Sequence, residues 1–196
     1  DTEIDKNSLI QFGYHLSSDD GIAAKQQAVL GDSVNHAAKY NLQITAQSLD
    51  YQYNIESTDI TIAFDPLLFG DINASDIKIG GELPIANAVQ IDNQAGTIRL
   101  AASSLSDLGA GQGISASTPL ASISLDFDES QIALLEKNND GSLKINPLAF
   151  QISANQQETV FSKTFNDADT GLLNREILTL ADLGGGVAVD GQDVTL

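Results

Sequence analysis

The most regular stretch of the chain alternates apolar and polar residues over positions 57–64. Ile60, Ile62 and Phe64 fall on one face of an extended segment, and the residues between them fall on the other face. A period of two is typical of a β-strand with one buried and one wet face. Pro66 has no N–H for a sheet ladder, so the strand is predicted to end at an Asp-Pro turn.

The same alternation recurs along the chain, and clusters of Gly, Asn, Asp and Ser separate the alternating segments. Residues 129–137 have the composition of a short helix, while residues 22–38 have no clean period and fit either a loop or a helical turn. About nine short strands with little helix predict an all-β sandwich. The apolar positions of the other predicted strands are Ile10, Phe12, Tyr14 and Leu16; Tyr40, Leu42 and Ile44; Tyr51, Tyr53 and Ile55; Ile77 and Ile79; Val89 and Ile91; Ile98 and Leu100; Ala121, Ile123, Leu125 and Phe127; and Leu143, Ile145, Leu148, Phe150 and Ile152.

Composition along the chain predicts three parts. Residues 1–7 are polar and are expected to be a linker, and residues 8–165 are expected to form the sandwich. From residue 166 onward, short Gly-rich and Asp-rich runs predict a linker or the start of a neighbouring module over 166–196. The chain begins at an Asp without a visible signal peptide, which is the expectation for a segment of a larger protein.

The charge of the chain restricts its partners. Its formal net charge is −18, from 27 acidic and 9 basic residues, so phosphate backbones and anionic lipids would be repelled. No run approaches the roughly 20 apolar residues that a membrane span needs. The absence of Cys excludes disulfides and thiol catalysis and disfavours zinc sites. This acidic, Cys-free composition suits a bacterial extracellular or cell-surface protein.

The sequence gives little support for catalysis. The carboxylate pairs Asp126/Asp128 and Asp167/Asp169 have the residue type of a glycosidase, but no neighbouring feature predicts a raised pKa for either pair. The chain's two His residues lie far apart in sequence, and no Gly-x-Ser-x-Gly motif is present. The chain is therefore predicted not to be an enzyme.

Calcium is the cofactor that the composition favours. Ca²⁺ binds carboxylate and carbonyl oxygens, and closely spaced Asp and Asn residues in loops often supply them. No complete EF-hand loop is present, so ordinary turns remain the alternative for every candidate. The predicted calcium ligands are Asn138, Asp140, Asn166, Asp167, Asp169, Asp19 and Asp20.

Two tyrosines are candidates for sugar binding. Tyr51 and Tyr53 are aromatic residues near the start of a predicted strand and could stack against a glycan. The chain has no Trp, and packing of these side chains in the core is the competing interpretation. A flat sheet face in this chain favours a protein partner over a glycan.

Three segments, in order, resemble motifs of cohesin-type domains. Residues 60–69 resemble a strand and Asp-Pro turn of that family, and residues 95–101 resemble its Gly-containing strand. Residues 118–127 resemble a third strand, and together the resemblance spans about 8–165. It implies a jelly-roll β-sandwich of about nine strands.

The resemblance also sets expectations for function. It implies a non-catalytic module of a bacterial surface or secreted protein that mediates assembly, spacing or adhesion, with calcium rigidifying its loops. Its partners would be another protein or neighbouring modules of the same chain. Two alternatives remain open, namely a cohesin proper that captures a dockerin, and a carbohydrate-binding module.

Overall fold

The computed structural model describes residues 8–18, 39–50, 52–104, 117–126, 131, 134, 136–140, 144 and 150–192. These residues contain one short 3₁₀ helix, Ala74–Asp76, and are otherwise built on β-strands. The strands are β1 (Ser8–Ser18), β2 (Lys39–Ser48), β3 (Asn54–Ala63), β4 (Ile77–Ile79), β5 (Ile85–Asp92), β6 (Thr97–Ser103), β7 (Thr118–Asp126), β8 (Gln151–Ala154), β9 (Val160–Asn166), β10 (Leu173–Thr179) and β11 (Gly186–Gln192).

The strands form two sheets, which confirms the predicted all-β jelly-roll sandwich. Sheet A has the order β11-β1-β2-β7-β4, and sheet B has the order β10-β9-β3-β6-β5. Neighbours pair antiparallel, except that β11 runs parallel to β1. The sequence predicts about nine strands and the structure has eleven among the described residues: the two strands predicted around Tyr53 and Ile62 correspond to the single strand β3, and β9, β10 and β11 have no predicted counterpart.

The core lies between the two sheets and is filled by the apolar positions that the alternation identifies. On β1, Ile10, Phe12 and Leu16 are buried, while His15 between them is exposed. On β3, Ile60 and Ile62 are completely buried. Aromatic contacts close one part of the core, because Phe150 lies against both Tyr14 and Phe69 with ring centroids 5.7 and 5.8 Å apart.

Strand β3 is the centre of sheet B and has two partners on one side. Its first residues pair with β9, and its last four pair with β8. The loop between β8 and β9 crosses beside the middle of β3, where Asn155 N–H donates to Asp59 O. The register with β9 shifts between Ile55 and Ser57, which places a β-bulge at Glu56.

The predicted boundary at residue 165 does not match the strand pairing. Strand β10 pairs with β9 along its whole length, and β11 pairs with β1, so the described residues 166–192 belong to both sheets. The glycines that suggested a flexible linker instead form a turn in which Gly184 and Gly185 have φ of +100° and +75°. Gly185 N–H donates to Leu180 O, and Gln156 Nε2 donates to Gly185 O.

Several expectations fall on residues outside those that the structure describes. They are the linker at 1–7, the segment 22–38, Phe127, most of the predicted helix at 129–137, and the first part of the strand predicted from Leu143. That strand's last apolar positions, Phe150 and Ile152, are described and buried. Nowhere in the described residues is there a helix of the length and apolar character that crossing a membrane requires.

Candidate functional site

The candidate site is the outer face of sheet B, the face turned away from the core. Because strand neighbours alternate between faces, the inward positions of Ile60 and Ile62 turn Asp59 and Thr61 outward on β3. The pairing register extends this face across the sheet. Its outward residues include Asp59, Thr61 and Ala63 on β3; Ala88, Gln90 and the exposed Asp92 on β5; Thr97, Arg99 and Ala101 on β6; Ser162 and Thr164 on β9; and Leu173, Arg175 and Ile177 on β10.

A bidentate ion pair occupies the middle of this face. Arg99 Nε and one of its terminal nitrogens donate to the two carboxylate oxygens of Asp59 at 2.9 and 2.7 Å, while its other terminal nitrogen donates to Gln90 Oε1 at 3.2 Å. The Asp59 side chain is 4% exposed and that of Arg99 is 41% exposed. The hydrogen bonds to Asp59, followed by its negative charge, raise the pKa of Arg99. The arginine therefore covers and neutralises the carboxylate beneath it.

A second buried carboxylate lies at the bulge of the same strand. Glu56 Oε2 accepts a hydrogen bond from Ser104 Oγ at 2.6 Å, and Oε1 accepts one from Ser162 Oγ. A terminal nitrogen of Arg175 on β10 approaches Glu56 Oε1 to 2.9 Å. This cluster joins β3, β9 and β10, and it engages every carboxylate oxygen of Glu56. The chain has two arginines, and each is paired with an acid of β3.

Exposed apolar side chains concentrate at one end of the same sheet. In the β9–β10 hairpin, Leu172, Leu173 and Ile177 are 65%, 70% and 53% exposed, and Phe165 is 41% exposed. These four are half of the eight large apolar side chains that are exposed among the described residues. The hairpin extends beyond the start of β3, since β9 pairs with β3 only up to Ser162. Concentrated apolar exposure of this kind is typical of interaction surfaces.

The structure places three of the predicted calcium ligands in the β9–β10 turn. Asp167 Oδ1 accepts hydrogen bonds from the N–H groups of Asp169 and Thr170 at 2.8 and 3.0 Å, and Oδ2 accepts one from Asn174 Nδ2 at 3.1 Å. The N–H of Thr170 and then that of Asp169 lower the pKa of Asp167. Asp167 thus closes the hairpin as a turn residue, and Asn166 and Asp169 lie beside it.

The other predicted calcium ligands are not gathered at this turn. Asn138 and Asp140 are exposed in a separate turn, and neither of them is without a partner, while Asp19 and Asp20 lie outside the described residues. Within the described part of the chain, no three acidic or His side chains converge on a point suited to a metal ion. Calcium binding remains a prediction.

Of the two tyrosines considered for sugar binding, Tyr51 lies outside the described residues and Tyr53 is half-buried. Lys163 Nζ is 5.5 Å from the centre of the Tyr53 ring, a cation–π contact that occupies one face of the ring. A sugar stacking on that face would have to displace the lysine.

The structure also forms an acidic cleft that the sequence does not reveal. The cleft has a volume of about 370 Å³ and lies where β1, β2 and β7 meet the loop that leads to β4. One of its carboxylates is engaged locally, because Asp76 Oδ2 accepts the N–H of Asn73 at 2.8 Å. Asp126, considered above for catalysis, is another lining residue, whereas Asp128 lies outside the described residues. The lining residues are Ser17, Tyr40, Asn41, Asp71, Asp76, Ser124, Leu125 and Asp126.

Glu56 and Arg175 are members of the candidate site that no pattern in the sequence identified. Two signals of the other ion pair were available in the sequence. Asp59 directly precedes the alternating apolar positions of β3, and Arg99, one of only two arginines in the chain, lies between the apolar positions Ile98 and Leu100, but nothing in the sequence pairs them. Neither signal identifies its partner, because the pairing requires the sheet order.

No protein-family model and no curated protein matches the chain. Among solved structures it is similar to the seventh ScaB type I cohesin of Pseudobacteroides cellulosolvens, with 9% identity, a TM-score of 0.43, and 94% of this chain and 88% of that chain covered. It is also similar to a cohesin from a type I cohesin–dockerin complex of Clostridium thermocellum, with 7% identity, a TM-score of 0.44, and 94% and 90% covered. The third ScaC cohesin of Acetivibrio cellulolyticus, solved with the ScaB dockerin, has 15% identity, a TM-score of 0.40, and 79% and 87% covered.

These similarities concern the fold. With TM-scores of 0.40–0.44, they carry no argument about the family of this chain. Identities of 7–15% leave function to be argued from the residues of this chain.

Proposed function

We propose that this chain is a non-catalytic protein-binding module and that its partner binds the outer face of sheet B. The observation that carries the proposal is the state of the charges on that face. In a chain of net charge −18, the two acids of β3 are each paired with an arginine, and apolar side chains are exposed beside them.

When a partner covers the outer face of sheet B, the groups on that face lose their hydration. The buried centre of a protein interface is depleted in charged residues and enriched in apolar side chains and Arg, because an unpaired charge loses hydration when a partner covers it. On this face the carboxylates of Asp59 and Glu56 are already buried and hydrogen-bonded before any partner arrives. Covering the face therefore adds apolar contact at little cost in charge desolvation.

The outer face of sheet A is the natural comparison within the same molecule. Its outward residues on β1, β2 and β7 carry mainly amide, hydroxyl and imidazole groups, with one exposed carboxylate at Asp126, and no large apolar side chain is exposed among them. Such a face hydrogen-bonds well to water and gains less from being covered. These residues include Gln11, His15, Ser17, Asn41, Gln43, Thr45, Gln47, Ser122, Ser124 and Asp126.

The proposal is tested by blocking each face with the same substitution. Gln90 on sheet B and Gln43 on sheet A are both exposed outward-facing glutamines, so Gln90→Trp and Gln43→Trp are matched variants. A panel of purified dockerin modules is titrated against each protein by calorimetry. We expect at least one micromolar or tighter complex, weakened about tenfold or more by Gln90→Trp and unchanged by Gln43→Trp. Loss of binding with Gln43→Trp alone would contradict the assignment to sheet B.

Dockerin is chosen as the probe because three motifs of this chain resemble cohesin strands, and cohesins of that family capture dockerins. The same resemblance and the acidic, Cys-free composition support a place in a bacterial surface or secreted protein. If no dockerin in the panel binds, the dockerin alternative is wrong, and assembly with neighbouring modules of the same chain becomes the surviving form of the proposal.

Calcium and glycan binding are separate proposals. Calcium is supported by the charge of −18 and by the exposed turns that hold Asn138, Asp140 and Asp169. A glycan is supported by Tyr51 and Tyr53, and the Lys163 contact makes Tyr53→Ala the informative change. Retention on a glycan array that is lost with Tyr53→Ala would favour a carbohydrate-binding module over a protein-binding one.

A further inference from the structure

Strand β10 is an edge strand of sheet B whose geometry differs from that of the other edge strands. Strand β4 has three residues, and β5 has a register irregularity between Ala86 and Ala88. The pairing of β11 is irregular near Ser8, and that strand begins with a glycine. Short length, bulges and glycines are common features of edges protected against further pairing. By contrast, β10 pairs with β9 over seven residues without an irregularity and contains neither Gly nor Pro.

The hydrogen-bond pattern shows which backbone groups of β10 face the open edge. Asp167 N–H donates to Leu172 O, so Leu172 faces β9. The backbone N–H and C=O groups of successive residues in an antiparallel strand point alternately towards and away from a given neighbour. Those of Leu173 and Ile177 therefore point away from β9. At the end of the strand, Thr179 N–H follows the same alternation and donates to the Asp182 carboxylate at 2.9 Å. Among the strands that the structure describes, none pairs with this side of β10, and this open edge runs from Leu173 to Ile177.

The same two residues also present the apolar side chains. Leu173 and Ile177 lie on the outer face of sheet B, four positions apart, and are 70% and 53% exposed. Arg175 lies between them on that face and is ion-paired with Glu56. A strand added to this edge would gain backbone hydrogen bonds and two apolar cross-strand contacts at the same positions.

The charges around the edge indicate the chemistry of the added strand. Asp167 and Asp169 lie in the turn before β10, and Asp182 follows it, so carboxylates stand at both ends of a strand about 20 Å long. Both are ionised at neutral pH, as ordinary aspartates are, and hydrogen bonds from neighbouring backbone groups lower the pKa of Asp167 and of Asp182 further. A second copy of this chain would bring the same negative charges to the edge.

From this geometry we infer that the open edge of β10 binds an extended segment of a partner protein by strand addition. The segment has alternating apolar residues that meet Leu173 and Ile177, and it has Lys or Arg at both ends. The inference rests on the proposed protein-binding function and specifies how one part of the partner is recognised.

The test uses a synthetic peptide and matched variants of the full chain. The peptide Lys-Ser-Val-Ser-Thr-Ser-Val-Ser-Lys places two valines four positions apart and a lysine at each end of one face. Its control has Glu in place of both lysines. Ile177→Lys places a charge on the β10 edge, and Ile85→Lys does the same on β5, the opposite edge of the same sheet, where Ile85 is 39% exposed.

We expect saturable binding of the lysine peptide in heteronuclear NMR titrations, with shifts at residues 173–177. Binding should weaken about tenfold or more with Ile177→Lys or the glutamate peptide and should weaken with added salt, while Ile85→Lys leaves it unchanged. Equal binding of both peptides, shifts confined to another strand, or no binding would overturn the inference. So would a concentration-dependent dimer that Ile177→Lys abolishes, because the occupant would then be a second copy.

These outcomes are separable from those of the proposed function. A partner whose binding depends on Gln90 but not on Ile177 would support binding at the outer face of sheet B and contradict strand addition at β10. If the chain binds the peptide but no protein binds the outer face of sheet B, strand addition at β10 is supported and the proposed function is contradicted.

Discussion

At the scale of single residues, two threonines beside β3 differ in how their hydroxyl groups are used. Thr58 and Thr159 are 1% and 0% exposed. Thr159 Oγ1 accepts the N–H of Asp59, whereas Thr58 Oγ1 has no hydrogen-bond partner among the described residues. A buried hydroxyl without a partner loses its hydration and gains nothing in return.

Thr58→Val is therefore expected to stabilise the protein by about 1 kcal/mol, because it removes the unpaired hydroxyl and keeps the shape of the side chain. Thr159→Val is expected to destabilise it by about 1–2 kcal/mol, because the Asp59 N–H loses its acceptor. Urea unfolding of both variants measures the two free energies. Destabilisation of similar size in both would show that the Thr58 hydroxyl has a partner.

Asp167 predicts a pH dependence of the β9–β10 hairpin. Its pKa is lowered in the folded protein, so its stabilising effect is present above the unfolded value of about 3.9 and is lost as pH falls through the lower folded value. Asp167→Asn keeps an acceptor for the turn N–H groups but removes the charge and the acceptor for Asn174. The wild type should melt above this variant at pH 7, and the difference should shrink as pH falls below about 3.9. A difference that persists unchanged at pH 2 would contradict this role of the carboxylate.

At this scale the sequence predicts the buried positions better than the site. Alternation identifies Phe12, Ile44 and Ile60 as core residues because burial on a strand follows a local period of two. The pairing of Asp59 with Arg99 joins residues 40 positions apart, and that of Glu56 with Ser162 joins residues 106 apart. Such contacts depend on the order of strands in the sheet, which no local pattern contains.

At the scale of elements, the last two strands explain why the predicted boundary failed. Strand β10 has mostly exposed side chains, and β11 lies at a sheet edge, so neither strand has the buried alternation that identifies β1 or β3. Edge strands are held by backbone pairing on one side, and backbone pairing leaves little trace in the sequence.

The packing of β11 on β1 makes a testable steric prediction. A Cβ atom at Gly191 would come within 2.3–2.4 Å of the Tyr14 ring, whereas one at Gly70 would meet its nearest atom at 3.7 Å. Gly191→Ala should therefore destabilise the protein by about 1–3 kcal/mol, while Gly70→Ala should be neutral or slightly stabilising. Chemical denaturation of the two variants makes the comparison. Equal stabilities would indicate that β11 does not pack against Tyr14.

At the scale of the whole molecule, the charge of −18 is distributed unevenly. The described acids of β3 are paired, while many others lie in turns, where Asp50, Asp65 and Asp92 accept backbone N–H groups. The mutual repulsion of such acids is reduced by salt, so stability should rise with ionic strength. This distribution leaves the acids of β3, in the middle of the outer face of sheet B, paired with arginines in a strongly acidic molecule.

Calcium binding makes a prediction that differs from simple screening. A calcium site specific to the folded state would raise the melting temperature above that measured with Mg²⁺ at the same ionic strength. At a calcium concentration of a hundred times Kd, the free energy of unfolding would rise by about 2.7 kcal/mol. Thermal melting in EDTA, Mg²⁺ and Ca²⁺ at constant ionic strength separates the two effects. Identical melting temperatures in Ca²⁺ and Mg²⁺ would count against a calcium site.

The central claim is that a protein partner binds the outer face of sheet B. The most direct measurement is amide hydrogen exchange of the chain alone and with a saturating bound partner. If the partner binds this face, we expect new protection in β5, β6 and β10, with exchange in β1, β2 and β7 unchanged. Protection confined to the strands of sheet A would contradict it.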